Sequence, residues 1–357
     1  MPTVLESLNT CLHRAMEADE RVYVLGEDIL DPYGGAFKVT RGLSTAFSER
    51  VLTTPVSEAG IVGVAAGMAL RGLRPVAEIM FGDFMALAAD QLINHVAKFR
   101  WMYNGQVRVP LVIRVPMGGR RGYGPTHSQS LEKLYLGVPG LRVLAPCSLG
   151  DPGELLYNAI LEDEDPVLFI ENKLLYLAKI QDEEDLEDFK FSKFSNQGTT
   201  ASRNSSKTGN ACPISPAHYP TTYILSLREA PAPALTMTTY GHMVELAQEA
   251  VVRLAYEHEI FAELVVPTQL APVELQPLFD SVSRTHRLLV LEEGTLTLGW
   301  GAEVLARAVE ALEGQPPAGR RVAAADTPIP ASGPLEAAVL PDVDDIVRMA
   351  REMVDAH

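Results

Sequence analysis

The 357-residue sequence predicts an α/β protein built as two parallel-sheet domains. Three observations carry that prediction. Short β-branched runs alternate with helix-period segments, the order that yields parallel sheets with helical crossovers. The run Leu111-Val112-Ile113-Arg114-Val115 is nearly unbroken in apolar residues, as in a strand covered on both faces. The alternation stops at about 178 and restarts after about 220. Residues 1–177 and 221–357 therefore read as domains, and 178–220 as a flexible acidic and polar insertion or linker.

In the first block, Val4, Leu5, Leu8, Cys11, Leu12, Ala15 and Met16 recur at helical spacing and predict an amphipathic helix. Residues 21–26 form a short strand that runs into two acids, Glu27 and Asp28. A glycine turn with aromatic flanks follows at 33–37, then a strand at 51–56 and a glycine-bearing apolar helix. Residues 75–81 read as a strand and 84–101 as a helix with Leu87, Leu92, Ile93, Val96, Ala97 and Phe99 on its apolar face. Strands at 109–115, 141–146 and 166–170 complete the block, with a helix at about 152–162. Within the connector, 182–188 is acidic and 195–210 is almost wholly polar, too poor in apolar side chains to offset its ordering entropy by burial. The second block predicts strands at 235–241, 261–266, 287–291 and 321–325, and helices at 242–258 and 299–312. A further helix start is marked at 340–346 by proline followed by acids.

The formal charge of −16 argues against a nucleic-acid partner, whose phosphates it would repel. No apolar run approaches the roughly eighteen residues of a membrane span. Cys11, Cys147 and Cys212 have neither metal-ligand nor CxxC spacing, and residues 1–6 lack the basic-then-apolar pattern of a secretion signal. A soluble protein of the reducing cytoplasm is expected, with small molecules or other proteins as partners.

Two stretches hold candidate chemistry. In Thr54-Pro55-Val56-Ser57-Glu58-Ala59-Gly60, an acid stands where an apolar helix begins. Glu58 reads either as a first-turn acid favoured by the helix dipole or as a functional carboxyl buried for a purpose, and both readings stay open on these residues alone. Gly60, Gly63 and Gly67 share one helix face, which suits close approach of another helix or subunit better than phosphate binding. The second stretch, 116–132, follows a buried strand and carries Gly118, Gly119, Gly122, Gly124, Arg120, Arg121 and His127. Ligands of open α/β sheets bind outside the carboxyl ends of strands, which places His127 for acid–base work or for an anionic substrate. The alternative is that His127 caps a helix beginning near Ser128. No Walker, HExxH, EF-hand, GxSxG or GxGxxG pattern occurs.

Gly26-Glu27-Asp28, Gly34-Gly35-Ala36-Phe37-Lys38-Val39-Thr40-Arg41-Gly42-Leu43, the 54–67 stretch, Asp90-Gln91-Leu92-Ile93-Asn94, His127-Ser128-Gln129-Ser130 and Asp326-Thr327-Pro328-Ile329-Pro330 occur in this order. Together they resemble the β subunit of thiamine-diphosphate-dependent 2-oxoacid dehydrogenase E1 components, the pyruvate, branched-chain and acetoin enzymes of the transketolase-like superfamily. The resemblance implies a pyrimidine-binding thiamine-enzyme domain followed by a transketolase C-terminal-like domain. It also implies an E1 α subunit in an α2β2 assembly, which holds the diphosphate and magnesium of thiamine diphosphate through a GDG motif that this chain lacks.

On the same resemblance Glu58 grips the aminopyrimidine and is catalytic, Met80 and Phe84 flank that ring, and His127 assists acyl transfer to a lipoyl arm. A small 2-oxoacid substrate and a lipoyl acyltransferase E2 are implied as partners. A structural potassium ion, held largely by backbone carbonyls, would fall near Leu111, Ala159, Ile160, Asp163 and Asp165; the acidic turn there is slightly longer than the family's usual one. Residues 266–272 stand where the family carries Asp-Leu-Arg-Thr before Leu-x-Pro. Two other readings accompany the main one: a two-component transketolase-like or acyloin-forming biosynthetic enzyme, and a non-catalytic scaffold subunit. Retention of both Glu58 and His127 speaks against the scaffold.

Overall fold

The computed structural model describes residues 1–195, 214 and 217–356, so the polar stretch 196–210 and Cys212 lie outside the described residues. The strands, in chain order, are β1 (Val22–Gly26), β2 (Val51–Thr53), β3 (Arg74–Glu78), β4 (Val112–Met117), β5 (Arg142–Leu144), β6 (Val167–Asn172), β7 (Phe189–Ser195), β8 (Thr221–Leu227), β9 (Leu235–Thr238), β10 (Ala262–Pro267), β11 (Gln269–Ala271), β12 (Arg287–Thr295) and β13 (Ala318–Ala324). One sheet runs β11-β5-β6-β4-β3-β1-β2 and is parallel except for β11. The other runs β13-β12-β9-β10-β8-β7, parallel from β13 to β10 and antiparallel at β8 and β7.

Register explains why the first sheet reads as unbroken apolar runs. Val24, Val76, Val112 and Val167 are partners across four strands and feed one core, packed under the helices Val4–Ala18 and Pro152–Leu161. Their neighbours Leu25, Ala77, Ile113 and Leu168 point to the opposite face and join the core that includes the Glu58–Leu70 helix. Successive side chains of a strand alternate between faces, so a strand buried on both sides is apolar wherever a charge has no buried partner. Each such side chain contributes about 1.5–3 kcal/mol by leaving water. Arg114 interrupts the pattern and is fully buried on β4.

Three differences from the sequence expectation have local causes. The single helix expected over 84–101 is instead a 3₁₀ segment (Gly82–Ala88), a π-helical turn (Gln91–Val96) and a short α turn (Phe99–Met102). The Tyr135 hydroxyl donates to the Met85 carbonyl at 2.7 Å, serving an acceptor within the irregular stretch. Within the connector expected at 178–220, β7 forms an antiparallel pair with β8; Leu186, Phe189 and Phe191 are buried, and Phe191 stacks on Tyr223 at 5.6 Å. The helix Gln276–Thr285 and strand β11 were not expected either, and β11 crosses from the second block to pair with β5 of the first sheet.

Where the blocks meet, Tyr240 donates to Glu132 at 2.5 Å; near Glu132, within the second block, Glu292 accepts the Gly301 N–H at 3.1 Å. Burial, with Glu132 adding to it, pushes the Glu292 carboxyl up to about 7. A carboxyl raised on folding binds more protons in the native state than in the unfolded one, so its contribution is fully present below its ordinary range and lost as pH rises through about 7. Glu292→Gln is expected to flatten the pH dependence of the urea midpoint between pH 5 and pH 7.5, removing a decline of up to about 3 kcal/mol. A variant with the wild-type slope would show that Glu292 is ionised in the fold throughout.

Candidate active site

Each candidate side chain stands at or just beyond the carboxyl end of a first-sheet strand: Glu27 after β1, Glu58 after β2, Met80 and Phe84 after β3, His127 after β4 and Lys173 after β6. That edge is where open α/β sheets bind ligands.

Glu58 is the first residue of its helix, behind Ser57, whose Oγ accepts the Gly60 N–H at 3.3 Å. The cap is therefore supplied by Ser57, and Glu58 is free for other work. It is only 4% exposed, and Glu27, at 7%, lies close enough for the two carboxyls to repel each other. Burial first, and then the charge of Glu58, raise the Glu27 carboxyl above its ordinary range, while the Ser57 N–H partly offsets them. Glu27 Oε1 is buried without a hydrogen-bond partner among the described residues. A buried acid with no countercharge and one oxygen left without a donor is costly, so an arrangement like this one is expected where a ligand brings the missing groups. The glycine face behind Glu58 is open: a side chain at Gly67 would meet nothing within 4 Å, and Val64 is 58% exposed.

The second group is aromatic. The His127 ring stands nearly perpendicular to Phe81 and Phe84, with centroids 4.8 and 5.1 Å away. Phe81 also packs edge-on against Phe37 at 5.6 Å and Tyr123 at 6.0 Å. Thr126 Oγ1 lies 2.9 Å from His127 Nδ1. Occupation of Nδ1 leaves Nε2 as the ring nitrogen available to a reacting group. No helix begins near Ser128 for His127 to cap, since the next helical turn is Glu132–Leu134; the Gly124 carbonyl accepts the His127 N–H at 3.3 Å in a turn. Met80 is half-buried at the end of β3.

Lys173 underlies this wall. Its side chain is fully buried, its ammonium donates to the His127 carbonyl, and it sits 5.2 Å from the Phe81 ring centre and 5.4 Å from that of Tyr123. Burial pushes the ammonium down to about 8, against the pull of Asp83 and Glu293. The glycine loop itself is pinned by acids of the second block. Glu293 accepts from the Gly119 N–H at 2.7 Å, Ser130 at 3.3 Å and Asn172 at 3.2 Å; Glu336 accepts from the N–H groups of Arg120 at 2.8 Å and Gly122 at 3.1 Å. Gly118 has φ +99°, and a Cβ there would stand 2.9 Å from Glu293 Oε1, so only glycine lets the loop approach that carboxylate.

The structure thus joins Phe84 to His127 and Glu58 to Glu27. Of these site residues, Glu27 was visible as an acid at a strand end but without a role, and Phe81 and Lys173 were missed. A lysine directly after a strand end, in Glu171-Asn172-Lys173, was the signal available for the last.

The residues implied for potassium gather in the turn after the Pro152–Leu161 helix. There Arg74 Nη1 donates to the carbonyls of Ile160 and Asp163, Arg142 Nε to Asp163 Oδ2 at 2.7 Å, and Arg100 to both oxygens of Asp165 at 2.7 Å. Ala159 is buried within the helix, and the Leu111 carbonyl accepts the Val167 N–H.

Residues 1–179 match the family model of the transketolase pyrimidine-binding domain, and 226–346 that of the transketolase C-terminal domain. The chain is 38% identical to pyruvate dehydrogenase E1 component subunit beta-2, mitochondrial, of Oryza sativa subsp. japonica, over 98% of this chain and 85% of that protein. It is 36% identical to the 2-oxoisovalerate dehydrogenase subunit beta of Pseudomonas aeruginosa, over 85% and 81% of the two chains. With the acetoin:2,6-dichlorophenolindophenol oxidoreductase subunit beta of Bacillus subtilis it shares 32% identity over 98% and 96%. A split-gene transketolase, solved as an inactive beta4 tetramer, has the same fold, with TM-score 0.71 at 19% identity over 99% of both chains.

Proposed function

The chain belongs to the β subunits of thiamine-diphosphate-dependent 2-oxoacid dehydrogenase E1 components, and on that premise we propose which of its side chains act and how. The proposal has the chain work in an α2β2 assembly, with the diphosphate and magnesium held by the α subunit and the aminopyrimidine held here. When bound, thiamine diphosphate supplies a nucleophilic carbon and the electron sink for decarboxylation.

The observation that carries the reading is the buried Glu27–Glu58 pair. Burial and the nearby charge of Glu58 raise the Glu27 carboxyl, so Glu27 holds a proton more readily than a carboxyl in water. Glu58 would hold the aminopyrimidine by a hydrogen bond to a ring nitrogen, and Glu27, with its partnerless Oε1, is the neighbouring acid that could keep a proton there. Phe84 and Met80 supply the apolar surface beside the ring, and Phe81 and Phe84 hold His127 edge-on. Through Nε2, His127 stabilises or moves a proton at the reacting group during acyl transfer to a lipoyl carrier of an E2 acyltransferase. Lys173 fixes the His127 backbone from below.

A cytoplasmic location belongs to the same proposal, supported by Cys11 and Cys147 as free, buried thiols; cell fractionation tests it. The activity is tested by purifying the chain with its α partner and assaying a panel of small 2-oxoacids with an artificial electron acceptor. Thiamine-dependent oxidation of one of them is the expected result, and failure on the whole panel despite a formed α2β2 complex would sink the reading. His127→Ala is expected to retain cofactor binding and artificial-acceptor turnover while acylation of a lipoyl domain falls about 100-fold. Loss of cofactor binding in that variant would instead make His127 a structural residue.

A further inference from the structure

The turn implied as a potassium site does not suit that ion, and we infer that the Arg74 guanidinium takes the place of a monovalent cation in this chain. Potassium is held where backbone carbonyls converge and replace its hydration shell. Two carbonyls of the implied set converge here on one nitrogen: Nη1 of Arg74 lies 3.0 Å from the Ile160 oxygen and 2.9 Å from the Asp163 oxygen. A guanidinium nitrogen bonded to both oxygens sets a positive group on two of the acceptors that the implied set would offer to an ion.

The chain delivers that nitrogen from a fixed point. Arg74 opens β3, is 6% exposed, and its backbone N–H donates to the Arg21 carbonyl at 2.8 Å. Its other arm, Nη2, pairs with Glu164. Charge in the turn points the same way. Asp163, Glu164 and Asp165 are met by Arg142, Arg74 and Arg100 respectively. These six side chains sum to zero and the fourth acid of the turn, Glu162, faces water, so the buried groups offer no net negative charge to draw in a further cation, where an unmatched charge is costly. Arginine suits the position because its planar fork reaches several acceptors at once. The inference concerns the fold, and it stands or falls separately from the decarboxylase reading.

The test is thermal melting of the full chain in potassium chloride and in choline chloride at equal ionic strength. The two melting temperatures are expected to agree within about 2 °C, and a larger potassium-specific rise would overturn the inference. Arg74→Met, which removes the guanidinium and leaves the two carbonyls, is expected to gain a potassium-specific rise of more than about 2 °C by binding the ion in its place. A folded Arg74→Met chain indifferent to potassium would show that guanidinium and ion do not compete for one spot. Where that variant does not fold, the wild-type comparison decides alone.

Discussion

Glu58→Gln, assembled with the α partner, is expected to lose about 1,000-fold or more of its thiamine-dependent turnover while melting within a few degrees of wild type. The amide has nearly the shape of the carboxyl, so packing at the mouth of the helix is unchanged. The helix cap also survives, since Ser57 rather than Glu58 accepts the Gly60 N–H. What is lost on the structural side is the attraction of a first-turn acid to the helix dipole, typically about 0.3–1 kcal/mol. What is lost on the chemical side is the ability to share a proton with a bound ring, and an amide cannot substitute for it. The two roles of Glu58 therefore separate cleanly. If it were only a helix-start acid, activity would stay within about twofold and stability would fall slightly. A second readout is available in Glu27, whose carboxyl is raised partly by the charge of Glu58. Removing that charge should lower the Glu27 pKa, and carbonyl-region infrared difference spectra on titration would register it. Near-wild-type turnover in the Gln variant, with the complex intact, would end the catalytic assignment.

The parts of the fold that were legible in the sequence are those where one local pattern decides the outcome. Both faces of β4 are buried, so apart from Arg114 its residues are apolar, and the run could be read as a central strand. Elements decided by distant partners could not be read. β11 is three residues long between Pro267 and Pro272, and it is a strand because β5 lies beside it. β7 sits in acidic and polar surroundings, and its Phe189 and Phe191 acquire a face only against β8 and the second core. Apolar positions over 84–101 fit a helix on spacing alone, yet spacing does not distinguish α from the 3₁₀ and π turns observed. The site divides in the same way. Glu58 and His127 stand in stretches whose composition is unusual in itself. Lys173 is an ordinary lysine in sequence, and its character comes from Asp83, Glu293, Phe81 and Tyr123, which converge on it from three other segments.

Arg114→Met is expected to destabilise the chain by about 3–5 kcal/mol, enough to lower its melting temperature by on the order of 10 °C or to leave it insoluble. Arg114 is 1% exposed, donates to Glu78 at 2.6 Å, and holds Glu171 with two bonds at 2.8 and 2.7 Å. Tyr176 adds a third donor to Glu171 at 2.7 Å. Methionine fills much of the volume, so the cost comes from electrostatics: two acids remain buried with their countercharge gone. Burial already raises the Glu78 carboxyl, and Arg114 is what pulls it back down. A triple variant, Arg114→Met with Glu78→Gln and Glu171→Gln, removes the stranded charges and is expected to recover most of the loss. A single variant that costs less than about 1 kcal/mol would show that water reaches these acids in the native state. The effect extends to the site, because the network supports its wall. A Cβ on Gly35 would lie 2.8 Å from Glu78 Oε1, and Tyr176 packs against Phe37 at 5.2 Å. Phe37 in turn backs Phe81, which holds the His127 ring. In the triple variant, stability and activity should therefore part: the fold returns, while acyl transfer stays impaired wherever loss of the arginine lets Tyr176 and Phe37 shift.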